Sequence, residues 1–76
     1  MSDPSVRVRA EGLAESGRTA ALAGNYSVAA AEFDRASGVC EDAAAETVLP
    51  DERQRLLDLA RAYARSAEAY RERVAG

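Results

Sequence analysis

Histidine, lysine and tryptophan are absent from this chain, and cysteine occurs once. Without imidazole or a side-chain amine, the common nucleophile–base pairs, Schiff-base chemistry and imidazole metal ligands have nothing to be built from. Cys40 alone can form no internal disulfide, which fits a reducing compartment, and the cytoplasm is the expected location. With no His or Lys nearby to lower its pKa, the thiol reads as a small core hydrophobe. Glu41 with Asp42, and Asp51 with Glu52, are pairs of carboxylates, but adjacent residues on a helix point in different directions. Gly12, Gly17 and Gly24 are too widely spaced to cradle a phosphate. No apolar stretch approaches the ~20 residues that would span a bilayer, and the N-terminus lacks the apolar run of a signal peptide. The expectation is a protein that is not an enzyme, holds no metal or cofactor and does not insert into a membrane.

Aromatic residues are also scarce, at 5%, against a hydrophobic content of 47% in which alanine dominates. That composition points to helices packed closely through small side chains rather than to sheets. The fold class expected is all-α. Seventy-six residues make one small domain, which buries only ~60% of the surface its unfolded chain exposes. The net charge of −3 is unevenly spread, residues 26–49 carrying five acids against one Arg and residues 50–76 six Arg against five acids. No basic stripe dominates, and a nucleic-acid partner is not expected.

The periodicity predicts three helices, near residues 4–23, 26–45 and 50–74, forming one antiparallel bundle over residues 1–76. Ser2 or Asp3 can cap the first, with Pro4 at its first position. Val6, Ala10, Leu13, Gly17, Ala20 and Gly24 step by four and three and make its apolar face. Gly17, costing ~1 kcal/mol relative to Ala inside a helix, implies the close approach of a neighbouring aromatic ring. Gly24 can end this helix at positive φ and Asn25 can cap the next. The second helix carries Tyr26, Ala29, Phe33, Ala36 and Cys40 on one stripe, large alternating with small, continuing through Ala43 or Ala44. Gly38 allows a slight bend within it. Pro50, Asp51 and Glu52 suit the first turn of the third helix. Its stripe, Leu56, Ala60, Tyr63, Ala67, Tyr70 and Val74, repeats every 3.5 residues and suits shallow helix crossing.

The run Gly17, Gly24, Tyr26, Ala29, Phe33, Ala36 resembles one tetratricopeptide unit, in which two antiparallel helices pack through small residues. Over roughly residues 9–73 the chain also resembles the MIT domain, the three-helix bundle named for microtubule interaction and trafficking. The shared features are G-x-Y followed by A-x-x-x-[YF]-x-x-A at Gly24, Tyr26, Ala29, Phe33 and Ala36, and a third helix ending like Y-L-x-R-A-E-x-L. The corresponding run here is Tyr63-Ala64-Arg65-Ser66-Ala67-Glu68-Ala69-Tyr70, with Ala64, Ser66 and Tyr70 standing where the family usually has Leu, Arg and Leu.

The resemblance implies a non-catalytic module that receives a short peptide or tail of a partner in an interhelical groove. It places Leu57, Arg61, Ala64, Arg65 and Glu68 on one bank, with Glu32, Ala36, Val39 and Glu41 facing them in part. The partners it implies are tails of membrane-remodelling filament proteins or an AAA ATPase of a shared complex. Apolar positions left over, including Val28, Val39, Val48, Leu57 and Leu59, allow a different expectation: a self-associating assembly element, or a docking or regulatory subunit of a larger complex.

Overall fold

The computed structural model describes residues 4–75, Pro4 by its backbone alone, so the cap expected at Ser2 or Asp3 lies outside the described residues. Three helices, α1 (Pro4–Leu22), α2 (Tyr26–Glu46) and α3 (Pro50–Ala75), form an all-α bundle, and the described residues contain no strand. The first connection takes three residues. Leu22 closes α1, and Gly24 then turns at φ +81, a conformation a Cβ would oppose. Its N–H donates to the Ala21 carbonyl at 3.0 Å while the Asn25 N–H donates to that of Ala20 at 2.8 Å, the paired bonds that satisfy the last carbonyls of a helix. Asn25 then turns to the next helix, its side-chain oxygen accepting from the Val28 N–H at 3.4 Å. One asparagine thus serves both ends of the corner.

The second connection is held by side chains as well as backbone. Thr47 donates its hydroxyl to the Ala43 carbonyl at 2.7 Å, and its own carbonyl accepts from Arg53 Nε and Nη2 at 3.2 and 2.8 Å. Gly38 does not divide α2, which runs unbroken to Glu46. A Cβ there would meet nothing within 4 Å. Gly38→Ala is therefore expected to stabilise the protein by roughly 1 kcal/mol, the helix-propensity difference, measured as a higher urea midpoint.

Helix α2 is the middle of the molecule. It packs along both α1 and α3, which scarcely approach one another. The core comprises Ala10 and Ala14 of α1, Phe33, Ala36 and Cys40 of α2, and Ala60, Tyr63 and Ala67 of α3. Leu13, Val39, Leu59 and Tyr70 close over it, each half-buried. Phe33 is 3% exposed and sits against two tyrosines, its ring centre 6.1 Å from that of Tyr63 and 5.6 Å from that of Tyr70. Tyr70 stacks on Tyr26 at 5.9 Å, and the Arg73 guanidinium lies 5.3 Å above the Tyr26 ring and 5.9 Å from that of Tyr70. A hydroxyl does similar joining further along, Ser37 Oγ donating to the Ala60 carbonyl at 2.9 Å inside the α2–α3 interface.

Val74, expected on the core stripe, is 55% exposed. It lies at the edge of α3 beside Ser27 and Ala31 of α2, whose small side chains leave a depression there instead of covering it. Gly24 ends the first helix at positive φ as expected of it, and so lies in the turn beyond the apolar face. Ala14 was not expected on that face, yet it is buried completely.

Burial pushes the Cys40 thiol above its ordinary pKa. It raises the Tyr63 phenol too, with Cys40 and Glu11 adding to the effect and Arg18 opposing it. For both groups the folded state holds the proton more tightly than the unfolded chain does. Stability is therefore expected to fall as pH rises past the ordinary thiol range of about 8.5 and on through about 10. Urea titrations from neutral pH upward check this, and in Cys40→Ala the first part of the decline should disappear.

Candidate functional site

The depression that all three helices line, the principal one in that sense, lies where the start of α1, the end of α2 and the start of α3 meet. Its volume is about 440 Å³. Apolar side chains from all three segments line it: Val6, Val39, Ala43, Val48, Leu49 and Leu56. Val48 and Leu49 stand at 84% and 56% exposure because the connection is too short and too extended to fold them inward. The polar lining has two sides in terms of charge. Arg7 and Arg9 come from α1, and Asp42 and Glu46, one turn apart on α2, are joined by Glu52 of α3. Among the described residues, none of these five makes an ion pair. Glu52 Oε1 is buried without a hydrogen-bond partner.

A second depression, about 450 Å³, lies at the opposite end between α2 and α3, lined by Ser27, Ala31, Asp34, Arg71, Val74 and Ala75. Its charged groups are already engaged, Arg71 pairing with Asp34 across the interface and with Glu68 at 3.3 Å.

The structure divides the residues expected to form one groove. Leu57 and Ala64 are half-buried on the outer side of α3, beside exposed Arg61, Arg65 and Glu68. Arg61 lies 3.9 Å from Asp58, and Glu68 is held by Arg71. On α2, Ala36 is fully buried in the core, where no peptide can reach it. Val39 lines the principal depression with Val6 and Arg9 of α1. Glu32, half-buried and paired with Arg35 at 3.1 Å, shares the Ala36–Val39 side of α2 by its helical spacing. Helix α2 meets α3 through a different side, that of Asp34 and Ser37. Glu32, Ala36 and Val39 therefore do not face the α3 row. Glu41 lies on the α3 side, 3.4 Å from the Ser37 hydroxyl.

Ser37 is the residue that sequence reading passes over, whereas it takes Glu52 only as a first-turn acid and half of a carboxylate pair. Ser37 occupies an inward position, three before Cys40 and four after Phe33, and only its polarity disguised it. Among the described residues no group of three or more His, Cys, Asp or Glu side chains could hold a metal ion, and no helix is long and apolar enough to cross a membrane. No protein-family model matches the chain, and neither a curated protein nor a solved structure matches it significantly.

Proposed function

We propose that this protein is a non-catalytic interaction module that takes a short peptide of a partner protein into the principal depression. The observation that carries this reading is the depression's lining, an apolar floor from three helices with Val48 and Leu49 held exposed at its edge. Apolar side chains in such a groove supply affinity, and unpaired charge around them supplies register. The likeness to MIT and tetratricopeptide hairpins supports the same class of activity, in a reducing compartment such as the cytoplasm. In that likeness the peptide lies along Leu57, Arg61, Ala64, Arg65 and Glu68 instead, and its partners are membrane-remodelling or AAA ATPase-associated proteins.

A display library of random twelve-residue peptides tests the reading. Selected peptides are expected to shift the amide signals of Val39, Val48 and Leu56, and binding should be lost in Val48→Asp but kept in Ala64→Asp. Peptides that map to the outer side of α3 and fail only with Ala64→Asp would move the site there, and no enrichment over an unrelated bundle would overturn peptide recognition.

Self-association is the second reading. Leu22 at 91% and Val28 at 43% exposure, flanking the first connection, favour it. A mass that rises with concentration in sedimentation, and falls to the monomer in Leu22→Asp, is the result that would support it.

A further inference from the structure

The two interfaces of α2 are built differently. Toward α3 it is tied by polar bonds as well as by rings: Ser37 Oγ donates to the Ala60 carbonyl at 2.9 Å, Asp34 pairs with Arg71, and both Tyr26 and Phe33 stack on Tyr70. Toward α1 the ties are small and apolar. Among the described residues of α1 only Ala10, Ala14 and Gly17 are buried, its larger apolar side chains being half-buried at Val6 and Leu13 and exposed at Val8 and Leu22. Among the described residues, Ser5 aside, no side chain of α1 forms a hydrogen bond or ion pair with α2 or α3, Arg18 pairing with Glu15 of its own helix. Stabilisation by burial scales with the apolar area removed from water, so alanines and a glycine hold α1 weakly. The helix also supports itself poorly: Gly12 and Gly17 lie in its interior, and neither an acid in its first turn nor a base in its last complements its dipole. Elements with few buried apolar contacts are those that open below the free energy of global unfolding. Because α1 and α3 hardly meet, the α2–α3 pair loses little of its own packing when α1 leaves.

We infer that α1 is a displaceable cover, which opens as a unit about Gly24 while α2 and α3 stay packed together. Gly24, at φ +81 and with no Cβ to restrict it, is the pivot. Opening uncovers the side of α2 that α1 seals. Gly17 lies on Phe33, and seven residues back along α1 and seven on along α2 the same antiparallel register sets Ala10 over Cys40, each with 0% exposure. Cys40 is therefore the natural reporter of the open state, in which Phe33 still keeps the rings of Tyr63 and Tyr70. The principal depression loses Val6, Arg7 and Arg9 along with α1, so the same opening governs when that site is complete.

Native-state amide exchange of the intact chain, together with labelling of Cys40 by dithionitrobenzoate, tests the opening. The amides of residues 11–18 are expected to exchange as one set, with Cys40 labelled through the same opening, at least about tenfold faster than the slowest amides of α3, at Tyr63 and Ala67. Tyr70→Leu removes stacking between α2 and α3, so it should raise the α3 rates about tenfold and leave residues 11–18 and Cys40 within about twofold, because the closed and α1-open states lose that contact alike. Dilute urea separates the two processes in the unaltered chain, and does so whether or not Tyr70→Leu folds. There residues 11–18 should respond less steeply than the α3 amides, since the opening exposes less surface than global unfolding. If residues 11–18 and Cys40 follow the α3 rates in urea or in folded Tyr70→Leu, α1 opens only with the whole molecule and the inference is overturned. Residues 11–18 that exchange one by one while Cys40 stays at the α3 level overturn it too, since α1 then frays without leaving.

Discussion

Phe33→Ala is expected to cost ~3 to 5 kcal/mol, the usual range for deleting a buried aromatic ring. The magnitude follows from position. Phe33 is 3% exposed and joins all three helices, lying against Gly17 of α1 and against Tyr63 and Tyr70 of α3. The cavity could not close cheaply, because Tyr70 is also stacked on Tyr26 and would have to abandon that contact to move inward. A domain of this size has a total stability of roughly 4 to 11 kcal/mol, so the loss is a large share of it. Thermal unfolding of Phe33→Ala should show Tm lowered by at least about 12 °C. A fall of less than about 4 °C would contradict the packing described for α2.

Gly17→Val should be the next most damaging change, at about 2 to 3 kcal/mol, the upper range for forcing atoms into a packed core. A Cβ at Gly17 would stand 2.8 Å from Cδ2 and Cε2 of Phe33 and 3.3 Å from the Ala29 carbonyl oxygen. The ring cannot swing aside, since tyrosines occupy its other sides. The same substitution at Gly12, where a Cβ would meet nothing within 4 Å, is the control and should be neutral or slightly stabilising. The clash belongs to the ring, so Gly17→Val should cost at least ~0.5 kcal/mol less in a Phe33→Leu background, a coupling that urea unfolding of the four proteins would resolve. Additive losses would mean that Gly17 is needed for some reason other than the ring.

These two residues also show how much of the fold is legible in the amino-acid sequence. A glycine inside a helical pattern costs stability, so Gly17 demands a close neighbour, and the stripe of the second helix offers Phe33 as that neighbour. Gly24 followed by Asn25 announces the corner, and the helix limits expected from the sequence lie within a residue of those observed. Burial along Ala29, Phe33, Ala36 and Cys40 follows directly from spacing.

What spacing does not encode is which neighbour each side of α2 receives. Ala36 and Ser37 are adjacent, yet one lies in the core and the other reaches the α3 backbone. The assignment depends on how both outer helices seat themselves, which no single helical stripe specifies. Val74 illustrates the same limit, because its periodicity places it on the α3 stripe while the small side chains of Ser27 and Ala31 on α2 leave it 55% exposed. The principal depression is less legible still. Val6, Val39 and Leu56 belong to three separate helices, and their meeting at one end of the bundle is a property of the assembled molecule.

The central position of α2 governs how quickly the chain can find its structure. Every extensive interface joins helices that are consecutive in sequence, α1 with α2 and α2 with α3, while the first and last elements hardly meet. No distant segments must be brought together before contacts begin to stabilise the chain, and each corner is set by local bonds at Gly24 and Asn25 or at Thr47. Chains with such local connectivity fold in microseconds to milliseconds. Synthesis from the N-terminus would complete the α1–α2 hairpin first, with Phe33 already seated on Gly17 and only its far side awaiting the tyrosines of α3.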